Sequence, residues 1–363
     1  MTAVSPTKHE IGAIWCPLEL KQHSEPERFQ ARSEQFFLDL GLNPDQINTA
    51  RATSTGALAC WWAPTGSTEG VQLLSDWLMW ALLFDDTYCD VGSASRDPLT
   101  FIYTAARTMN RSLYPSDPSE ENNELRTFEL SLQDMFARID RLAGGQASHE
   151  CATAHFSWMV GAACGVSDRH HYHMRSLDDH LVVRPMDGGD LVSGYLIQVA
   201  EGRWLDSDLR CDPAVRAISN AAGVLLTVPT DLASYGRERR QDSLHSNIVA
   251  IIQREQSCTT REALDLSRHL IEEMMQLFVD LKAKLQERRI PQLDLYLEDL
   301  SNMVRGTLEW QRLLPRYALP DSVVRESRSG VFEVDPLHEV TTQRQFSNNI
   351  RIPRSIQWWW QAL

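Results

Sequence analysis

The stretch Ala81–Asp90, "ALLFDDTYCD", places three carboxylates at the end of a strongly apolar run. Asp85, Asp86 and Asp90 follow "DWLMWALLF", a segment with the composition of a buried core helix. Charged side chains are rarely fully buried unless they are paired or hold a metal ion. The three aspartates therefore form either a solvated helix end or part of a site, and the rest of the sequence has to decide between the two.

Composition limits the partners that this chain can have. The 363 residues are 43% hydrophobic and carry a formal net charge of −14, which argues against nucleic acid or an anionic membrane as a partner. A phosphorylated small molecule would need a divalent metal between itself and so acidic a protein. The seven dispersed cysteines are typical of reduced thiols, and neither a signal region nor an apolar run of about 18 residues is present. The sequence predicts a cytoplasmic protein.

Helical periodicity dominates the chain, and strands with alternating polarity are absent from the pattern. One helix is predicted to open at Thr68 and to run to the aspartates, and another ends at Gly144. We predict a single all-α domain over residues 1–363, with a core at about 15–320 and a tail at 321–363. Because helical bundles build ligand and metal sites from facing helices, the expected architecture is a bundle around a central active-site cavity.

The aspartates suit a divalent cation. At about 100° per residue of an α-helix, Asp85, Asp86 and Asp90 lie within an arc of about 140°, with Asp86 and Asp90 one turn apart. Mg²⁺ prefers carboxylate oxygens and shares its remaining positions with water and phosphate. A solvated acidic helix end is the alternative for this motif taken alone.

A second stripe of oxygen-bearing side chains occurs in "TDLASYGRE", Thr230–Glu238. Thr230, Ser234 and Glu238 are spaced by four residues, so they share one helix face, and Arg237 lies near it. The stripe follows the apolar run "AISNAAGVLLTVP" and could hold a metal ion together with a phosphate oxygen. A capped and exposed helical turn is the alternative.

Two further segments carry arginine. Arg184 precedes Pro-Met-Asp-Gly-Gly, which should break a helix around Arg184, Asp187 and Gly188 and expose backbone dipoles. "WQRLLPRY" carries Trp310 and ends in the pair Arg316-Tyr317, whose side chains can donate hydrogen bonds to a diphosphate. An ordinary loop with a surface arginine is the alternative for the Arg184 segment, and the Arg-Tyr pair carries almost no information in isolation.

In this order and spacing, the four segments resemble those of class I terpene synthases of the microbial single-domain type. "DDTYCD" matches the aspartate-rich motif, and "TDLASYGRE" matches the second metal motif, Asn-Asp-x-x-Ser-x-x-Lys-Glu. The diphosphate-sensor arginine of the family stands 46 residues before the second motif, as Arg184 does before Thr230. The resemblance covers residues from about 15 to about 320.

The other elements of the family also have counterparts. The linker aspartate and effector glycine follow the sensor by three and four residues, at Asp187 and Gly188. The family's Arg-Tyr pair lies about 80 residues after the second motif, as Arg316-Tyr317 does. "LHSNIV", Leu244–Val249, is similar to the family's His-Asn element.

Two positions depart from the family pattern. Thr230 stands where asparagine is usual, so the metal ligand is a hydroxyl in place of an amide carbonyl, and weaker metal binding is expected. Arg237 replaces the usual lysine, which keeps the charge and adds a forked donor for phosphate.

The resemblance implies three Mg²⁺ ions that clamp the diphosphate of a linear isoprenyl substrate, which is ionised and then cyclised. Asp85 is the expected direct ligand of the first motif, beside Asp86 and Asp90, and the second motif binds another ion. The diphosphate donors are Arg184, Arg237, Arg316 and Tyr317. The catalytic set comprises Arg184, Asp187, Gly188, Phe84 and Trp310, and further candidates for the aromatic wall are Trp77, Trp80 and Trp158. For the tryptophans of the aspartate helix, plain core packing is the alternative.

Substrate length and assembly are less constrained. The small residues Ala81, Gly223 and Val224 precede the two metal motifs and favour a deep pocket. Together with the similarity of "DDxxCD" to some bacterial diterpene synthases, they favour geranylgeranyl diphosphate slightly over farnesyl diphosphate. Homodimerisation, common in the family, is left open.

Two other functions and two further motifs have to be considered beside this resemblance. A prenyl-elongating transferase lacks support because "LDDHLVVR" has no third aspartate, and a catalytically dead prenyl-diphosphate-binding protein rests on Thr230 alone. "HHYH", His170–His173, is predicted to be a surface turn. Trp358–Trp360 could cover an apolar face, cap the active site or mediate self-association.

Overall fold

The computed structural model describes residues 11–90, 92–114, 123–314, 332–336 and 351–363. The fold is all-α, as the sequence predicted. In chain order the α-helices of the described residues are α1 (Pro26–Asp39), α2 (Pro44–Arg51), α3 (Thr55–Trp62), α4 (Thr68–Phe84), α5 (Pro98–Leu113), α6 (Asn123–His171), α7 (Leu177–Asp187), α8 (Asp190–Glu201), α9 (Ser207–Cys211), α10 (Pro213–Arg240), α11 (Ile248–Gln256), α12 (Thr260–Gln286) and α13 (Pro291–Leu313). Two three-residue strands, β1 (Ala13–Trp15) and β2 (Glu333–Asp335), pair in parallel.

The helix boundaries follow local capping chemistry. Helix α4 opens after Ser67, whose side chain accepts a hydrogen bond from the backbone N–H of Gly70. A capping box formed by Thr259 and Glu262 opens α12. Gly144 interrupts α6 with φ 85° and ψ 169°, so the first part of this long span ends where the sequence predicted. The left-handed φ at Gly144 is one that residues with a Cβ rarely adopt.

The contacts group the chain into two compact units. The first unit comprises Leu20–His171 and Met186–Leu205, and the second comprises Tyr172–Pro185 with the chain before Leu20 and after Leu205. The single domain predicted from the sequence stays a prediction.

In the first unit, a buried polar network ties together the helices around α4. Asp76 of α4 is 2% exposed and accepts hydrogen bonds from Ser33 at 2.7 Å, Gln72 at 2.9 Å and Arg138 at 2.7 Å. Burial raises the pKa of Asp76 although Arg138 lies beside it. Because a buried carboxylate left without these partners would be costly, the network fixes α4 against α1 and α6. It thereby orients the helix that leads to the aspartates.

In the second unit, α10 lies at the centre. It packs against α12 and α13, and every residue from Ala221 to Pro229 is buried. The C-terminal 3₁₀ turn Gln357–Ala362 also packs on α10, where Trp359 is 3% exposed. Ser355 donates from its backbone N–H to Asp178 of α7 at 2.8 Å. Trp359 is therefore buried in the turn that packs on α10, and the three roles left open for the tryptophan run stay predictions.

None of the helices in the described residues combines the length and the hydropathy needed to cross a bilayer.

Candidate active site

The aspartate segment is not a continuation of α4. Residues Asp85–Asp90 form a π-helical turn directly after Phe84, so the α-helical spacing assumed from the sequence was wrong. In a π-helix the hydrogen bonds join residues five apart, so each turn is wider than in an α-helix. Tyr88 and Cys89 of this turn are both buried, and the Tyr88 ring lies 5.0 Å from that of Phe84.

The turn brings the three carboxylates together. One oxygen atom from each of Asp85, Asp86 and Asp90 lies within 4.8 Å of the others. Asp85 and Asp86 are half-buried, and Asp90 is exposed. Clustered carboxylate oxygens are the donors that a hard cation such as Mg²⁺ takes, so these residues fit the predicted metal. In the described part of the chain, this is the group of three or more acidic, His or Cys side chains close enough to share an ion.

Arg169, at the end of α6, anchors the end of this turn, and sequence reasoning missed it. Its guanidinium donates to the carbonyl oxygens of Cys89 and of Ser95, the latter at 3.1 Å, and lies 3.8 Å from the carboxylate of Asp90. Burial, with a further contribution from Asp85, raises the pKa of the Cys89 thiol well above its usual value. The thiol therefore stays neutral, which leaves the carboxylates as the candidate ligands.

Aromatic rings pack closely behind the aspartates. Phe84 stacks on Trp80 with ring centroids 5.0 Å apart, and edge contacts join this pair to Phe128 and Trp158. Trp80 and Phe84 are fully buried, and the Trp80 indole donates to the carbonyl of Phe128 at 3.0 Å. This arrangement is what core packing would produce. A role of Phe84, Trp77 or Trp158 against a substrate stays a prediction.

The predicted helix break is present. Helix α7 contains Pro185 and ends at Asp187, and α8 begins at Asp190 after Gly189, which has φ +67°. Asp187 is half-buried and Gly188 is exposed. Gly161 of α6 lies against this break, since a Cβ there would stand 2.3 Å from the backbone N of Asp187. The close approach of α6 to the break therefore requires glycine.

In the second unit, Asp231 holds the predicted sensor arginine. Its Oδ1 accepts from Arg184 Nε at 2.8 Å, and its Oδ2 lies 2.8 Å from His180 Nε2. The backbone N–H of Ile248 donates to the same Oδ2 at 3.1 Å. Burial by itself would raise the pKa of Asp231, but Arg184 and His180 hold it below its usual value, so the carboxylate is charged. Sequence reasoning named neither Asp231 nor His180 as a site residue. His180 stands one helical turn before Arg184, and Asp231 is adjacent to Thr230.

Ser234 and Glu238 of the second motif are joined on one helix face, as predicted. The Ser234 hydroxyl donates to Glu238 Oε1, and Asn247 Nδ2 donates to Glu238 Oε2 at 2.9 Å. Asn247, from the segment similar to the His-Asn element, also donates to the carbonyl of Asp231 at 2.8 Å. Burial, together with the charge of Asp231, raises the pKa of Glu238 to about 7. A bound cation would favour the ionised form of this carboxylate.

The third predicted ligand of this motif has a partner from α13. Gln311 Nε2 donates to Thr230 Oγ1 at 2.5 Å, and Thr230 is half-buried. Trp310, the neighbour of Gln311, is buried. Arg237 is half-buried and donates to Gln241 at 3.4 Å on its own helix. Hydroxyl and carboxylate oxygens on one face of α10 fit a hard cation.

Two further predictions concern residues outside this cluster. Arg316 and Tyr317 lie outside the described residues, so their role as diphosphate donors stays a prediction. His170 and His171 are exposed at the end of α6 and Tyr172 is exposed in the turn that follows, as predicted for a surface turn.

The fold is similar to that of a protein of known structure. The crystal structure of the SVS_A2 protein from ancestral sequence reconstruction superposes with a TM-score of 0.78 at 23% identity, covering 97% of this chain and 99% of that one. The chain therefore has the same fold as the SVS_A2 protein.

Sequence comparison defines the family. The profile of terpene synthase family 2, C-terminal metal binding, matches residues 76–276, more than half of the chain. A (+)-(1(10)E,4E,6S,7R)-germacradien-6-ol synthase from Streptomyces pratensis is 25% identical over 98% of this chain and 97% of its own length. A (+)-T-muurolol synthase ((2E,6E)-farnesyl diphosphate cyclizing) from Streptomyces clavuligerus is 26% identical over 97% of this chain and 82% of its own length.

The chain belongs to the terpene synthase family, and it is a class I enzyme of the terpene cyclase type, a lyase. The matched residues 76–276 include the aspartate turn, Arg184 and the second motif, whereas Trp310 and Gln311 lie beyond them.

Proposed function

We propose that the chain, with Mg²⁺, ionises a linear isoprenyl diphosphate, cyclises the allylic cation to a terpene hydrocarbon or alcohol, and releases diphosphate. The observation that carries the proposal is the aspartate turn, where oxygens of Asp85, Asp86 and Asp90 lie within 4.8 Å of one another. Asp85 is proposed as the direct ligand, with the other two carboxylates supporting it. Thr230, Ser234 and Glu238 are proposed to hold metal as well, for three ions in total.

Bound Mg²⁺ would stabilise the negative charge that develops on the leaving diphosphate. The chain itself would bind the diphosphate through the donors Arg184, Arg237, Arg316 and Tyr317. The ion pair with Asp231 supports the role of Arg184, because it holds the guanidinium in one orientation before substrate arrives. Fixed donors of this kind need little reorganisation when charge develops.

The helix break after Asp187 is the second proposed element of ionisation. Gly188 carries no side chain, so its backbone is accessible to a substrate, and Asp187 would link it to the sensor Arg184. Aromatic faces such as Phe84 and Trp310 would then stabilise the cation by about 0.5–2 kcal/mol each.

The substrate proposal favours geranylgeranyl diphosphate over farnesyl diphosphate. Ala81, Gly223 and Val224, which precede the two metal motifs in the sequence, are small and would leave room for the longer chain if they face the substrate. Farnesyl diphosphate is the second candidate, since the name of the T-muurolol synthase relative specifies it. Homodimerisation stays a prediction.

The test incubates the full chain and Mg²⁺ with C10, C15 and C20 isoprenyl diphosphates and analyses the extract by gas chromatography–mass spectrometry. We expect a cyclic product from one substrate, lost with EDTA and in Asp85→Ala. Asp140→Ala, which removes an exposed carboxylate from α6, should leave product formation unchanged.

Three outcomes would contradict the proposal. A folded protein that binds the diphosphates without turnover would indicate a catalytically dead binding protein. A longer linear diphosphate formed after addition of isopentenyl diphosphate would indicate an elongating transferase. Unchanged turnover in Asp85→Ala would exclude the aspartate turn as the metal site.

A further inference from the structure

The hydroxyl side chains of α10 fall into two groups. Ser219 donates to the carbonyl of Val215 at 2.7 Å, and Thr227 donates to that of Gly223 at 2.9 Å. This bond to the carbonyl four residues earlier is the usual arrangement for serine and threonine inside a helix. Thr230 and Ser234 make no such bond within the described residues, and they are the two hydroxyls of α10 proposed as metal ligands. The difference calls for a physical cause at each position.

At Ser234 the cause is Glu238, which accepts the hydroxyl proton. At Thr230 it is Gln311 of α13. Gln311 Nε2 donates to the carbonyl of Leu226 at 2.9 Å, which is the carbonyl that the Thr230 hydroxyl would otherwise use, and to Thr230 Oγ1 at 2.5 Å. A carbonyl oxygen has two lone pairs. Gln311 uses one of them, at the turn where Pro229 interrupts the hydrogen bonds of the helix.

The orientation of the Gln311 amide is determined by its partners. Only the amide nitrogen can donate to a carbonyl, so Nε2 must face Leu226, and its second hydrogen then meets Thr230 Oγ1. Gln311 is fully buried, and its Oε1 has no hydrogen-bond partner among the described residues. The two bonds from Nε2 tie α13 to the turn of α10 that carries Thr230.

We propose that Gln311 is a positioning residue that holds the Thr230 hydroxyl off its own helix and presents it to metal; the inference rests on the proposed function. A hydroxyl oxygen has two lone pairs. Gln311 occupies one of them, the other is available to a cation, and the O–H is available to donate to a ligand. Gln311 thus allows a threonine to act as a metal ligand at a position where the family usually has asparagine.

The same helix shows why asparagine would need no such partner. Asn220 donates from Nδ2 to the carbonyl of Arg216 at 2.7 Å, so its amide makes the bond to its own helix with nitrogen and keeps its oxygen for other partners. An asparagine at position 230 could do the same with the carbonyl of Leu226. Thr230→Asn should therefore remove the dependence on Gln311.

The experiment measures binding of Mn²⁺, in the presence of inorganic diphosphate, by the electron paramagnetic resonance signal of the free ion. We expect Gln311→Leu to weaken Mn²⁺ binding about tenfold, the lower end of what loss of an outer partner of a metal ligand costs. Adding Thr230→Asn to Gln311→Leu should return the affinity to within about threefold of the wild type. Gln311→Met, which keeps the length of the side chain without its donors, is the second variant should the leucine variant misfold.

Tyr296→Phe is the matched control. The Tyr296 hydroxyl lies 2.8 Å from that of Ser219, so its removal deletes a hydrogen bond between the same two helices at a distance from Thr230 along α10. We expect it to leave Mn²⁺ binding unchanged.

Two results would overturn the inference while leaving the proposed function in place. One is wild-type affinity in Gln311→Leu. The other is a loss in Gln311→Leu that Thr230→Asn does not repair, or that Tyr296→Phe reproduces, because a purely structural role would behave in that way. A wild-type chain that binds no Mn²⁺ with diphosphate and forms no product would instead refute the proposed function.

Discussion

His155 of α6 is a fully buried imidazole whose protonation should lower the stability of the protein as the pH falls. Its Nδ1 lies 2.8 Å from the carbonyl oxygen of Cys151, and its Nε2 accepts a hydrogen bond from the indole N–H of Trp77 at 2.8 Å. The ring is therefore neutral, with its proton on Nδ1. A second proton would have to sit on Nε2, directly facing the N–H of Trp77. Burial lowers the pKa of His155 from 6.5 to about 4.

The pKa gives the size and the pH range of the effect. Above pH 6.5 neither the folded nor the unfolded chain is protonated at His155, so this residue adds no pH dependence there. Between pH 6.5 and 4 the unfolded chain takes up the proton and the folded chain does not, so the free energy of unfolding falls. At about 1.4 kcal/mol for each pH unit, the loss is about 2 kcal/mol by pH 5 and about 3 kcal/mol by pH 4.

Urea unfolding followed by circular dichroism, at pH 7 and pH 5, measures this loss against a His155→Gln variant. The glutamine amide offers an N–H donor for the carbonyl of Cys151 and an oxygen acceptor for Trp77, and it does not titrate. The other titrating groups change both proteins alike, and the difference between their pH dependences isolates the imidazole. If wild type and His155→Gln lose stability in parallel between pH 7 and pH 5, the assignment of a buried neutral histidine is wrong.

Three substitutions test close contacts, two of them at the site and one at the C-terminal turn. Gly161→Ala should cost about 1–3 kcal/mol of stability and reduce turnover, because its Cβ would stand 2.3 Å from the backbone N of Asp187 and displace the helix break. Arg169→Met should cost about 2–3 kcal/mol and weaken metal binding, since it leaves the buried carbonyl of Cys89 without its donor. Trp359→Ala should cost about 3–5 kcal/mol, because it empties a buried position beneath the C-terminal turn. Urea unfolding measures all three losses.

Each substitution has a matched control. Gly194→Ala should be neutral or stabilising by up to about 1 kcal/mol, because among the described residues no atom outside its chain neighbours and its own helix backbone lies within 4 Å of the added Cβ. Arg141→Met removes an exposed arginine from α6, and Trp358→Ala removes a half-exposed ring from the run that contains Trp359, so both should cost much less than their buried counterparts. A control that loses as much stability as its buried counterpart would show that the contact described is not the cause.

Local sequence properties predicted most of the fold and the placement of the motifs. Apolar periodicity indicated the all-α class, Gly144 marked the interruption of α6, and Pro185 with the two glycines after Asp187 marked the helix break. These are properties of short segments, since periodicity and backbone restriction act within a few residues. The spacing of 46 residues between Arg184 and Thr230 added the relation between motifs.

The conformation of the aspartate segment could not be predicted in this way. The α-helical spacing was the natural extrapolation from α4, but the chain takes a π-helical turn from Asp85 to Asp90. Phe84 and Tyr88 both pack against Phe128 of α6, so the choice depends on residues that are distant in the sequence. The six residues of the segment by themselves therefore do not determine its conformation.

The sequence by itself determined which residue types this protein offers for chemistry: three carboxylates after an apolar helix, an oxygen stripe on α10 and an arginine before a helix break. Only the tertiary structure decided which residues form hydrogen bonds and ion pairs with these groups. Asp231 holds Arg184, Arg169 holds the end of the aspartate turn, and Gln311 reaches Thr230 from 81 positions along the chain. The physical reason is that a buried polar group must find its partner in space, and the helices that pack beside it supply that partner without regard to distance along the chain.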